Sequence, residues 1–170
     1  MPLMSATTGE ITEIDTRRYN TGFLITRTEL HTLSEGDYET YKLEDFNATF
    51  GDGVVELHWK VDGDKIYMAM VGKTTGWVSI GIDYKTAMEY SDMIFGWVED
   101  DGSVMVVDTY STGPVGPHPA DSDQGGTNDI LDFGGEEINV VTTIEFVRDL
   151  DTGDDYDNPI PTEGVLKIIW

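Results

Sequence analysis

Cysteine is absent from the 170 residues. No disulfide framework, thiolate metal site or cysteine nucleophile is therefore available. Basic side chains are scarce: 10 Lys and Arg stand against 33 Asp and Glu, a formal net charge of −23. A surface of that sign repels phosphate backbones and anionic lipid, which excludes nucleic acid and anionic membrane surfaces as expected partners. No apolar run approaches the roughly 20 residues of a membrane span, so no membrane insertion is expected of this segment. The opening MPLMSATTGE has no basic region followed by an apolar core and does not read as a secretory signal. The G-x-S-x-G elbow, the H-E-x-x-H pair and the phosphate-binding glycine loop are all missing, and carboxylates are too abundant to single out a glycosidase pair. The sequence reads as non-catalytic.

What is present suits one domain with a real core. Apolar residues make up 39% and aromatic residues 11%, which separates the chain from disordered acidic tails. The acidity reads either as a solvated surface tuned to salt, or as a means of binding cations or a basic partner.

From Phe46 onward short apolar segments alternate with turn chemistry. The expected strands are Val54–Val61, Lys65–Val71, Trp77–Ile82, Met93–Glu99, Val104–Tyr110, Val140–Arg148 and Val165–Trp170. Asp62-Gly63-Asp64, Asp100-Asp101-Gly102 and Asp151-Thr152-Gly153 separate them as tight turns. Val78, Ile80 and Ile82 fall on one face, and Trp77, Ser79 and Gly81 on the other; Phe95 and Trp97 likewise share a face. No segment holds a helical period. The expected fold is all-β, an antiparallel β-sandwich of immunoglobulin-like type over residues 46–170, with an N-terminal arm (residues 1–45) packed on it. Within the arm, Gly22–Leu30 is the one plausible strand. The stretch Ser111–Gly135, stiffened by Pro114, Pro117 and Pro119, is too long for an ordinary connection and reads as one wall of a site.

An ordered set of landmarks resembles the DOMON family of extracytoplasmic domains that bind heme or sugars. These are Trp59 before the Asp62 turn, Gly76-Trp77-Val78-x-Ile80-Gly81, the loop with Met88, Ser91-Asp92-Met93-Ile94 leading to Trp97, and Asp108. Thr142–Arg148, the Leu150-Asp151-Thr152-Gly153-Asp154 segment and the closing Ile168-Ile169-Trp170 complete the set. The resemblance implies a ligand-binding module at or outside the cell surface.

It also implies heme b, with an electron-transfer role and Met88 as a thioether axial ligand. The histidine that would complete the ligation falls beyond Trp170, the last residue. Trp77, Phe95 and Trp97 are candidate pocket aromatics, or core residues. His118, between two prolines, is a candidate to fold over a ligand, or an exposed imidazole. His58 reads as a sheet residue, and His31 lies in the arm. A sugar-binding or adhesion module is the alternative, with exposed aromatics stacking on sugar faces. A surface-protein interaction domain without a small ligand is a third, and a redox partner or neighbouring domain fits these readings.

A structural cation, Ca2+ or Na+, is implied by the same resemblance. Its expected ligands are Asp92, the carbonyls of Met93 and Thr109, and one of Asp121, Asp123 or Asp129. The competing reading has Asp92 and Asp108 capping strand ends. The carboxylates from Asp149 to Asp157 read as a tight turn in preference to a calcium loop. Asn47-Ala48-Thr49 is a glycosylation sequon.

Overall fold

Two five-stranded antiparallel sheets face each other in the computed structural model of the protein, which describes residues 12–13, 24–25, 38–42, 47–83, 87–163 and 165–170. One sheet runs β10 (Asp132–Ile138), β11 (Val141–Asp149), β6 (Lys65–Gly72), β5 (Val55–Asp62) and β4 (Asn47–Phe50). The other runs β3 (Tyr38–Lys42), β12 (Val165–Ile169), β7 (Val78–Ile82), β8 (Asp92–Val98) and β9 (Val104–Tyr110). A small pair, β1 (Thr12–Glu13) and β2 (Leu24–Ile25), lies outside both sheets. The architecture is the all-β sandwich expected from the alternation of apolar runs and turns.

Period-2 patterning sets which residues meet between the sheets. Leu57, Trp59, Met68, Met70, Ile144 and Phe146 point inward from the first sheet, and Ile80, Ile82, Ile94 and Ile168 from the second; all are at most 4% exposed. Each such side chain contributes about 1.5–3 kcal/mol of transfer free energy. The sheets approach so closely at Gly96 that a Cβ there would lie 2.5 Å from Ile144 Cγ2. The outward set of β8 and β9 is different: Phe95, Trp97 and Val107 remain partly exposed.

Turns close where Gly and Asp predict them. Gly63 at φ +65° links Asp62 to Lys65, and Gly102 at φ +84° lets the chain return from Val98 to Val104. The β10–β11 hairpin differs from expectation. Val140, read as the start of a strand, is instead the second turn residue, and Asn139 and Val140 take φ +54° and +60°. Positive φ at both central residues suits the right-handed twist of the strands, and that demand outweighs the strand preference of valine.

β10 starts inside the stretch expected to be a loop, which runs to Gly135. Its Gly-Gly and Glu-Glu pairs hide the alternation, yet it pairs with β11 along seven residues. The irregular connection is thus residues 111–131, with one helical turn, α1 (Asp121–Gln124). In the arm, Leu24–Ile25 is extended and Tyr38–Lys42 pairs along the whole of β12. The rest of the arm, including His31 and most of Gly22–Leu30, lies outside the described residues. Asn47 of the sequon is fully buried in β4, so the folded chain does not present it to a glycosylating enzyme.

Candidate functional site

Two features stand out, one on each side of the β7–β8–β9 sheet. The first is a groove on its outer face. Trp77 precedes β7, Phe95 and Trp97 project from β8, and Val107 and Thr109 project from β9. Thr75, Gly76 and Val98 line one part, and His118 of the 111–131 connection forms a wall. The groove holds about 620 Å3. Trp77 is 64% exposed and packs on Phe95 with ring centroids 5.4 Å apart at 54°. His118 lies over the other side of Phe95, at 5.9 Å and 31°. Trp97 Nε1 donates to Glu99 Oε1 at 2.7 Å, which fixes the plane of the indole.

His118 Nδ1 is buried without a hydrogen-bond partner among the described residues. Desolvation lowers the His118 pKa below its ordinary 6.5, so at neutral pH the ring offers one donor and one acceptor. The groove therefore combines broad aromatic faces with one orientable polar group.

The expected pocket residues are largely brought together. Trp77, Phe95, Trp97 and His118 line one groove, whereas Met88 is not part of its lining. Met88 sits in the β7–β8 connection, half-buried, where its backbone N–H donates to the Pro114 carbonyl at 3.3 Å. His58 lies on β5, buried on the face away from the core and 3.4 Å from Glu56.

The second feature lies inside, at the end of the sandwich where β7 runs out at Ile82. Arg148 is in phase with Ile144 and Phe146 on β11, so its guanidinium is directed into the core. It crosses to the opposite sheet, where Nη1 donates to Asp92 Oδ2 at 2.6 Å and Nη2 lies 3.4 Å from Asp157 Oδ2. Asp92, Asp108 and Asp157 converge, each offering an oxygen within 4.8 Å of the others. Asp92 Oδ2 also accepts from the Asn158 backbone N–H, and Asp108 Oδ2 accepts from that of Asp129. The second oxygens, Asp92 Oδ1 and Asp108 Oδ1, are buried with no hydrogen-bond partner among the described residues. Asp121, only 1% exposed at the start of α1, has both carboxylate oxygens in that condition.

Burial dominates the electrostatics. Desolvation pushes Asp92 up to about 6 against the pull of Arg148, with the charge of Asp157 adding to the rise. Desolvation likewise pushes Asp108 up to about 7, although the Asp129 N–H opposes it. Asp121 rises to about 8 through desolvation and then the charges of Asp108, Asp157 and Asp92. Burial raises Asp157 as well. Desolvation opposes the charge on Arg148, but Asp92 and Asp157 more than offset it and keep the guanidinium protonated.

A cluster of hard oxygens deep in the fold, with free lone pairs, fits a cation such as Ca2+. Of the cation ligands expected from the resemblance, Asp92 belongs to this cluster, together with Asp108 and Asp157, and Asp121 lies near enough for their charges to raise its carboxyl. The Met93 carbonyl already accepts the Thr109 hydroxyl at 2.9 Å. Asp123 is exposed, and the Asp129 side chain accepts from the Thr127 hydroxyl at 2.7 Å. The turn reading of 149–157 holds for Asp151 and Asp154, which accept the N–H groups of Gly153 and Tyr156. Asp157 turns inward instead. The signal for the missed residues was an ionisable side chain in phase with an apolar face: Arg148 follows Ile144 and Phe146, and Asp108 follows Val106.

The architecture is an antiparallel β-sandwich with an aromatic groove on the outer face of one sheet. The chain belongs to the DOMON family, whose domain it matches over residues 51–170. Domains of this family are generally ligand-binding modules that work outside the cytoplasm. No curated protein matches the chain in sequence. No helix among the described residues is long and apolar enough to cross a membrane.

Proposed function

We propose that the protein is a non-catalytic binding module whose outer groove takes a carbohydrate. The observation that carries this reading is the open aromatic platform: Trp77, 64% exposed, packed at 5.4 Å on Phe95. Stacking on a sugar needs a broad ring surface that solvent can reach, with a few polar groups at its margin. His118 supplies such a group, and in its neutral form it can both donate to and accept from hydroxyls. Isothermal titration with a panel of soluble glucose, mannose and N-acetylglucosamine oligosaccharides tests the reading. Trp77→Ala is expected to weaken binding by about tenfold or more, with an unchanged melting temperature because the side chain contributes little to the core. Failure of every sugar to saturate the wild type would remove the carbohydrate reading.

A second reading, heme b, is favoured by one observation: the imidazole of His118 faces an apolar groove with Nδ1 unpartnered among the described residues. Bound there, heme would supply one-electron exchange, while this chain's aromatics would bury the macrocycle and the His118 imidazole would hold the iron. Hemin titration with absorption spectra of the oxidised and reduced protein distinguishes the two. A stoichiometric Soret band abolished by His118→Ala supports heme, and Met88→Ala reports whether the thioether takes part. Weak, non-saturating hemin uptake insensitive to both substitutions rules the reading out.

The acidic cluster supports a structural cation in either case. Asp92, Asp108 and Asp157 are the residues that would hold it.

A further inference from the structure

Among the residues lining the outer groove only His118 can take a positive charge, and desolvation keeps that imidazole neutral at neutral pH. The nearest base in sequence, Lys73, sets its Nζ beside Gly53 instead, and Lys167 is paired with Asp83 at 3.2 Å. A carboxylate is held ready at the other extreme. Beyond Val98, Glu99 follows Trp97 on the same side of the chain, and its Oε1 accepts the indole N–H at 2.7 Å. The hairpin turn fixes the backbone there: the Glu99 N–H donates to the Ser103 carbonyl, and the Glu99 carbonyl accepts from the Gly102 N–H, each at 2.8 Å. Glu99 is exposed, so its second oxygen stays open to a ligand. Two effects then favour a cation. Aromatic faces carry negative potential and attract an ammonium group placed over them, indole most of all. An indole whose N–H donates to a carboxylate is polarised by that bond, which strengthens the attraction of the Trp97 face.

We propose that the ligand of the groove carries a free ammonium group, as an oligosaccharide of hexosamine without N-acetyl groups does, with Trp97 beneath the ammonium and Glu99 as its ion-pair partner. This inference rests on the carbohydrate reading and names the class of sugar. The apolar face of one ring stacks on Trp77 and Phe95, while the amine is read at the Glu99 end of the groove. The same arrangement rejects uronates and sulfated glycans. An anionic group placed there meets Glu99 with no base in the lining to receive it, on a molecule whose net charge is −23.

The test is titration calorimetry on the full chain with oligomers of equal length made of glucosamine, N-acetylglucosamine or galacturonic acid. The glucosamine oligomer is expected to bind about tenfold or more tightly than its acetylated counterpart, and the galacturonate oligomer is expected not to saturate. Glu99→Gln removes the charge but keeps an acceptor for the Trp97 indole. It is expected to cost about tenfold in affinity for the glucosamine oligomer and to leave that for the acetylated one unchanged. Asp62→Asn removes an exposed charge from the opposite sheet and is expected to change neither affinity, which separates a built site from general attraction to an acidic surface. Equal affinity for the glucosamine and N-acetylglucosamine oligomers overturns the ammonium assignment and leaves the carbohydrate reading standing. So does a glucosamine preference that survives Glu99→Gln, or one that falls equally with Asp62→Asn. Saturation by none of the three oligomers removes the carbohydrate reading and this inference with it.

Discussion

Arg148 and the carboxylates around it hold the two sheets together at one end, and their balance is unusual for a core. A single buried ion pair roughly breaks even against desolvation. Here two further carboxylates, Asp157 and Asp108, act on the same guanidinium, with Asp121 close to them, so in the absence of a cation the folded state retains protons. The sign follows from the direction of the shifts. Asp92, Asp108 and Asp121 are raised to about 6, 7 and 8. The folded protein therefore binds protons that the unfolded chain releases near pH 4. Stability from these groups is full below that point and is lost as pH rises through the folded values. In chelator, thermal unfolding is expected to show a melting temperature that falls between about pH 5 and pH 8. A flat or rising profile over that window would show that the carboxylates are not proton-loaded when folded.

At the level of elements, the β10–β11 hairpin contains a local conflict that can be relieved. Val140 is 66% exposed and sits at φ +60°, where a β-branched residue is strained by about 1–2 kcal/mol. Val140→Gly is expected to raise unfolding stability by about 1 kcal/mol, read from denaturant midpoints at constant m-value. A loss of stability would mean that the valine side chain packs more usefully than its exposure indicates.

The same hairpin shows why some elements were legible in the sequence and others were not. Strands with a clean apolar period, such as β7 and β9, were readable to within a residue, because burial of one face dictates the alternation. β10 carries Gly134-Gly135 and Glu136-Glu137, so its membership is imposed by pairing with β11 and leaves no period to read. Trp77, Phe95 and Trp97 were legible as aromatics of a pocket or of the core, and which of the two depends on the face each strand turns outward, which the sequence leaves open. The inner cluster was only half visible. Asp157 looks like one more turn carboxylate among Asp151, Asp154 and Asp155, and only the three-dimensional path of the chain turns it toward Arg148.

Across the whole molecule, the net charge of −23 acts against compactness. Raising salt from about 10 mM to about 150 mM shortens the screening length from roughly 30 Å to roughly 8 Å. With chelator present and pH fixed, the melting temperature is expected to climb by several degrees over that range and then level off. Insensitivity to salt would indicate that the carboxylates are spaced widely enough to ignore one another. The charge also bears on how the sandwich behaves among its own copies. β9 is an edge strand of sequence VMVVDTY, a run that would template pairing with another chain if left bare. Pro119 and Ala120 occupy the polar groups at its far end, and the acidic turn at Asp100 and Asp101 guards the near one. Detaching the 111–131 connection would leave the core intact and uncover that edge, so the first failure of this protein under stress would be self-association between native-like molecules before any general unfolding.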